Sequence, residues 1–243
     1  MNSPNITMPS QIKLEPNYEE KNIRYKDAPW FGKFYPITIG GAGATGSHIA
    51  MILSRYGHQL TIWDNDSVDT VNLGAQGYHM KHLGMPKVDA IKELCASFSG
   101  EDNVTAKNEL FTEDSPIESI CFSCFDSMKA RKDMFESWVQ EAITNDGSTP
   151  CVFIDGRILY GTMDIFIVTK DTIDEYRKSL FDDSEGVDGS CTLKITTHYA
   201  YLISAYMVNS FTNYLTNFVY KKPICPLPNL KLEMISMYYD ISK

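Results

Sequence analysis

Apolar residues recur along the chain in short uninterrupted runs. Ile37-Thr38-Ile39 precedes a cluster of glycines, Leu60-Thr61-Ile62-Trp63 forms a second run, Ile117 to Phe125 a third and Cys151 to Ile154 a fourth. Runs of this length, bounded by glycine or polar residues, read as buried strands, and Val104 to Leu110 reads as an edge strand. The stretches between them have helical spacing. Ile49, Ile52 and Leu53 share one face of a helix over Ser47 to Tyr56. Ile91, Leu94 and Cys95 share a face of a helix with Pro86 at its first position, and Met128, Arg131, Met134, Phe135 and Trp138 lie on a helix from Ser127 onward. Strand and helix alternate, which predicts a mainly parallel sheet with right-handed crossovers and helices on both faces.

The second half is patterned differently. From Tyr160 to Val168 the residues alternate, with Met163, Ile165 and Ile167 on one side and Thr162, Asp164 and Phe166 on the other, so a hairpin-like pair extends the sheet with antiparallel strands. An acidic stretch from Asp182 to Ser190 reads as a loop. A long apolar helix from Thr196 to Val219 and a last strand from Lys231 to Tyr239 follow. The N-terminal stretch, rich in Pro, Asn and charge, lacks sustained periodicity. The economical division is an arm over residues 1–35 and one domain over 36–243.

The glycines add chemistry to this frame. Gly41, Gly43 and Gly46 fit the G-x-G-x-x-G spacing between a strand and a helix. The first permits the tight turn, the second lets backbone approach a phosphate, and the third lets helix pack on strand. The following helix directs its N–H groups at that phosphate. Asp64 ends the second strand about 20 residues on, where an acid can hold a ribose hydroxyl. The unit is therefore a Rossmann-like nucleotide-binding βαβ, and on these residues alone the nucleotide stays open. Lys87 opens a helix, where dipole considerations disfavour a cation, and is better explained if it reaches an anion.

Composition excludes several classes. The chain has 243 residues and a net charge of −9, which argues against a duplex-wrapping protein, because phosphate neutralisation needs a basic face. No run of about 18 apolar residues suggests a membrane span, and residues 1–20 are unlike a secretory signal. The six cysteines are dispersed, as in a reduced, cytoplasmic protein. Cys121-x-x-Cys124 has the spacing of half a zinc site, but a structural site needs two further ligands. Lying in an apolar run, these residues read as core cysteines.

Taken together, the motifs resemble those of the ThiF/MoeB/HesA adenylyltransferases, relatives of the ubiquitin-activating enzymes. The elements that carry the resemblance are Gly41/Gly43/Gly46, Asp64-x-Asp66, Asn72-x-x-Ala75-Gln76, Gly84-x-x-Lys87, and Asp126 with Arg131, in that order from about Ile37 to Trp138. Cys191-Thr192-Leu193 before a long apolar helix extends it. The resemblance implies ATP-dependent activation, as an acyl-adenylate, of the C-terminal carboxylate of a ubiquitin-like or sulfur-carrier protein ending in Gly-Gly. It also implies a homodimer. It assigns the ribose to Asp64, with Asp66 beside it, the phosphates to Lys87 and to the backbone at Gly41, Ala42, Gly43 and Gly46, and Mg²⁺ to Asp126. Asn72 and Gln76 would shape the nucleotide pocket. Cys191 is either a thioester-forming nucleophile or a helix-start residue without a role.

One departure stands out. The family motif Asn-x-x-Arg-Gln has Ala75 in place of its arginine, which removes a fixed bidentate phosphate contact. Another cation, such as Lys81, takes over, or ATP turnover is weak or absent. Two further readings therefore stand beside the first: a degenerate partner-binding member of the family, and an NAD-dependent oxidoreductase built on the same glycine turn and Asp64. Asp155-Gly156-Arg157, following an apolar run, reads either as the lining of a groove for the partner's tail or as a plain turn.

Overall fold

The computed structural model describes residues 18–159, 162–182 and 197–233. In chain order the elements are α1 (Tyr18–Lys21), β1 (Pro36–Gly40), α2 (Ala44–Arg55), β2 (Gln59–Trp63), α3 (Lys87–Ser99), β3 (Val104–Lys107), β4 (Ile120–Ser123), α4 (Met128–Thr144), β5 (Val152–Leu159), β6 (Thr162–Val168), α5 (Ile173–Arg177), α6 (Thr197–Tyr220) and β7 (Leu230–Glu233). Short 3₁₀ turns cover Thr70–Gly74, Met80–His82 and Lys170–Thr172.

Among the described residues the strands form one seven-stranded sheet in the order β3-β2-β1-β4-β5-β6-β7. The pairs β3–β2, β2–β1, β1–β4 and β4–β5 are parallel, while β5–β6 and β6–β7 are antiparallel. This is the expected Rossmann-like sheet with an antiparallel extension. The strand order reverses at β1, between β2 and β4, and ligands of open α/β sheets bind beyond the carboxyl ends of strands at such a point.

Alternation along the central strands decides what each face buries. Ile120 and Phe122 of β4, with Val152 and Ile154 of β5, enter the core beneath α2, α3 and α6. Cys121 and Phe153, between them, enter the opposite core with Met134, Phe135 and Trp138 of α4 and Tyr176 of α5. α6 lies along α2, and Ser204 Oγ donates to the Thr45 carbonyl at 3.0 Å, which seats the long helix behind the glycine turn. Ahead of β1, Trp30 packs on Tyr56 with ring centroids 4.9 Å apart.

Several sequence expectations are corrected. Pro86 is the N-cap of α3, with ψ 134°, and Lys87 is the first helical residue. β3 ends at Lys107, β4 spans only Ile120–Ser123, and α2 begins at Ala44. Asp155-Gly156-Arg157 is neither a turn nor a strand end. β5 runs through it to Leu159, because partners elsewhere in the fold satisfy its charged side chains. Cys191, the acidic stretch from residue 183, and the end of the last strand lie outside the described residues.

Candidate active site

The glycine turn leaves β1 at the reversal point. Gly41 adopts φ +89°, where a side chain is strained, and a Cβ there would lie 2.8 Å from the Cys124 carbonyl oxygen. A Cβ on Gly46 would lie 1.9 Å from the Gly41 carbonyl oxygen, so the third glycine is required for α2 to meet the turn. Gly43, the N-cap of α2, has no heavy atom within 4 Å of the position a Cβ would take. The turn is thus closed on its protein side and open on the other, where the first N–H groups of α2 emerge.

Asp64 sits directly against this turn. Its Oδ2 accepts the Ala42 N–H at 2.7 Å and its Oδ1 the Asp66 N–H at 2.8 Å. Burial pushes its carboxyl above the ordinary range, against the opposing pull of those two amides and of Lys87. Lys87 is buried and its Nζ lies 2.7 Å from Oδ2 of the exposed Asp66. Tyr78 ties the two parts together. Its hydroxyl donates to the Ala42 carbonyl at 2.5 Å and lies 3.4 Å from the Lys87 carbonyl oxygen. Burial, followed by the Asp64 carboxylate, pushes the phenol far above its ordinary value, so it remains a donor.

Asp126 occupies the adjoining strand end. The Cys124 N–H donates to the Gly40 carbonyl at 2.7 Å, and the chain then passes the Phe125 ring under Gly40 before exposing Asp126. The carboxyl edge therefore gathers Asp64, Asp66, Lys87 and the glycine turn into one cluster, with Asp126 on the neighbouring strand end. Among the described residues no group of three or more His, Cys, Asp or Glu side chains forms a metal site. Cys121 and Cys124 behave as core residues, and burial raises both thiols.

The loop from Asn72 to Gln76 is built differently from a simple pocket wall. Asn72 Oδ1 accepts the Asp69 N–H at 2.8 Å, closing a capping box, and the Asn72 carbonyl accepts the Gln76 N–H at 3.0 Å. Gln76 Oε1 is buried without a hydrogen-bond partner, an acceptor left for a ligand or water. The Ala75 carbonyl accepts from His48 Nε2 at 3.1 Å, and the His48 ring stacks on Tyr201, centroids 4.0 Å apart. Burial lowers the His48 pKa, and the Ala75 carbonyl only partly opposes this, so a neutral ring stands behind Ala75 and not a cation. Lys81 pairs with Glu93 on α3.

Tyr78, His48 and Ser47, whose Oγ accepts the Gly77 N–H at 3.0 Å, are the site-building residues that sequence reasoning passed over. Each is tied to a backbone group 27 to 36 residues away. The only signal was a polar-tipped aromatic just after an irregular loop.

A model of the ThiF family matches residues 33–236. The chain belongs to the ThiF family. Solved structures with the ThiF-type fold agree in architecture. Escherichia coli MccB, crystallised with a selenomethionine form of MccA, superposes with a TM-score of 0.61 at 14% identity, covering 90% of this chain and 71% of that one. PaaA gives 0.64 at 15% identity over 96% and 78%. The E. coli tRNA N6-threonylcarbamoyladenosine dehydratase TcdA gives 0.57 at 18% over 84% and 94%. These identities speak to the fold alone. Short stretches also match two curated NAD(P)⁺ glycerol-3-phosphate dehydrogenases. That of Hydrogenovibrio crunogenus is 41% identical over 59 residues, and that of Pseudoalteromonas translucida 38% over 47. The matches take in 23% and 19% of this chain and only 17% and 14% of those relatives' lengths. No helix among the described residues is long and apolar enough to cross a membrane.

Proposed function

We propose that the chain is an ATP-dependent adenylyltransferase that activates the C-terminal carboxylate of a peptide or small protein as an acyl-adenylate. The observation that carries this reading is the buried Lys87 ammonium beside Asp66 and Asp64, at the mouth of a glycine turn that is open at Gly43. A hydride-transfer site built on the same turn leaves that cation without a task. MccB has been crystallised with ATP and with MccA, which supports a nucleotide and a peptide meeting on this fold.

In this reading the ribose hydroxyls are held by Asp64, and the phosphates by the N–H groups at the start of α2 and by Lys87. The carboxylate oxygen forms a bond to the α-phosphorus while the bond to the bridging oxygen breaks, and pyrophosphate leaves with the electron pair. Both reactants are anionic, so Lys87 lowers the barrier by offsetting the charge that accumulates between them. Asp126 offers a single hard oxygen ligand. That fits Mg²⁺, which takes one or two carboxylates and completes its shell with phosphate and water. When bound, the ion neutralises phosphate charge and favours departure of pyrophosphate. A ubiquitin-like or sulfur-carrier protein ending in Gly-Gly is the carrier proposed on the family resemblance, with a homodimer as the working assembly.

The test is ATP–pyrophosphate exchange with peptides and small carriers bearing free or amidated C-termini. Exchange that requires both Mg²⁺ and a free carboxylate supports the reading. Absence of exchange with every free-carboxylate partner, together with stabilisation by NAD in preference to ATP, overturns it. Ala75 favours one second reading, a member that binds nucleotide and partner without turnover. ATP binding without exchange, with exchange appearing in Ala75→Arg, is its signature.

A further inference from the structure

Asp155 is fully buried in the middle of β5. Its Oδ1 accepts from the Arg131 guanidinium of α4, and its Oδ2 accepts from Arg157 Nε at 2.6 Å and from the Tyr176 hydroxyl at 3.0 Å. Two guanidiniums on one carboxylate exceed what neutralising it requires. Each has a second engagement. Arg131 also donates to the Gly156 carbonyl at 3.1 Å and to the carbonyl of Phe125, the residue before Asp126. Arg157 donates to the Ser179 carbonyl at 2.9 Å and to its Oγ at 3.1 Å, and its guanidinium lies over the Phe166 ring, 4.4 Å from the centroid.

A continuous chain of charge-assisted hydrogen bonds thus runs Phe125–Arg131–Asp155–Arg157–Ser179. A buried ion network of this kind is poorly explained as a source of stability, since apolar replacements of similar volume are often at least as stable. What it supplies is geometry. Planar guanidiniums fix directions that apolar contacts leave loose.

We infer that Asp155 is a positioning residue: through Arg131 it sets the strand-end loop that presents Asp126, and through Arg157 it couples that loop to the chain leaving α5 at Ser179. The consequence for Mg²⁺ rests on the proposed role of Asp126; the coupling itself does not.

Two measurements on the full chain separate these layers. Amide hydrogen exchange without nucleotide is compared in wild type, Asp155→Asn and Arg157→Lys. Both variants accelerate exchange at residues 125–127 and at 179–181 together, by about tenfold or more, as loss of a buried charge-assisted hydrogen bond implies. Ile37–Ile39 and Leu60–Ile62 keep wild-type protection. Should Asp155→Asn be too unstable to study, Arg157→Lys carries the test alone, because its substitution lies on the far side of Asp155 from Phe125. Acceleration confined to 179–181 in Arg157→Lys, or spread evenly over the sheet, overturns the inference.

The second measurement is the Mg²⁺ concentration for half-maximal pyrophosphate exchange. It rises about tenfold in Arg131→Lys, as loss of an outer-sphere support does, with the KM for ATP unchanged. A parallel rise in both constants, or in neither, removes the link to the metal. If the wild type shows no exchange at all, the activation reading falls while the amide result still decides the coupling.

Discussion

Lys87 is joined to Asp66 twice: its ammonium lies 2.7 Å from Asp66 Oδ2, and its backbone N–H donates to the Asp66 carbonyl at 2.9 Å. The backbone bond positions the start of α3, so the side chain can be changed without moving the helix. Lys87→Met keeps the apolar stem and removes the charge. Its former partner is exposed and recovers water, so the stability change stays below about 1 kcal/mol. Pyrophosphate exchange falls about 10²-fold, the effect of deleting one group that stabilises transition-state charge. Chemical denaturation and exchange kinetics on the same preparation check both halves.

The second and third glycines of the turn separate folding from binding. Gly46→Ala places a Cβ against the Gly41 carbonyl and destabilises the protein by about 3 kcal/mol. Gly43→Ala points its methyl into open space and changes stability by less than about 0.5 kcal/mol. Yet it occupies the room a phosphate would take, and ATP affinity measured by calorimetry drops. Unchanged affinity in Gly43→Ala would place the phosphates elsewhere.

Ala75 leaves the loop without a guanidinium, and the neutral His48 behind it offers no substitute. Its φ of −133° accommodates any side chain. Ala75→Arg therefore folds normally and tightens ATP binding about tenfold or more, the range of one added charge-assisted hydrogen bond. Equilibrium binding of ATP to the two proteins reads this directly.

His58 gives a pH signature remote from the site. It is buried beside Phe211, accepts the Tyr35 N–H on Nδ1 at 3.2 Å, and burial lowers its pKa to about 4. The folded state holds this proton less tightly than the unfolded chain. The stability it contributes is complete above about pH 6.5 and is lost as pH falls toward 4, amounting to about 3 kcal/mol. Unfolding free energies for wild type and His58→Gln across that interval differ in slope, and the variant's is flatter.

The central strands and their helices were legible because the signals are local. Ile37–Ile39 before a glycine turn, and Asp64 one βαβ unit later, need no distant partner to be read. The turn reading of Asp155-Gly156-Arg157 failed for the opposite reason. Two charges around a glycine look like a turn until Arg131, Tyr176 and Ser179 arrive from other elements to satisfy them. The short α5 and the 3₁₀ turns lack the length for a periodic signal. In the candidate site, motif spacing pointed to Asp64 and Lys87, which the fold brings to the glycine turn, while Tyr78 was passed over because it serves backbone carbonyls and not another side chain.

That phenol has a mechanical effect. Since one hydroxyl spans the Ala42 and Lys87 carbonyls, the jaw formed by the turn and the jaw formed by α3 are clasped before any guest arrives. Under the proposed function, selection among anions then becomes a matter of gauge, with a guest whose charges match the held gap favoured over a larger or smaller one.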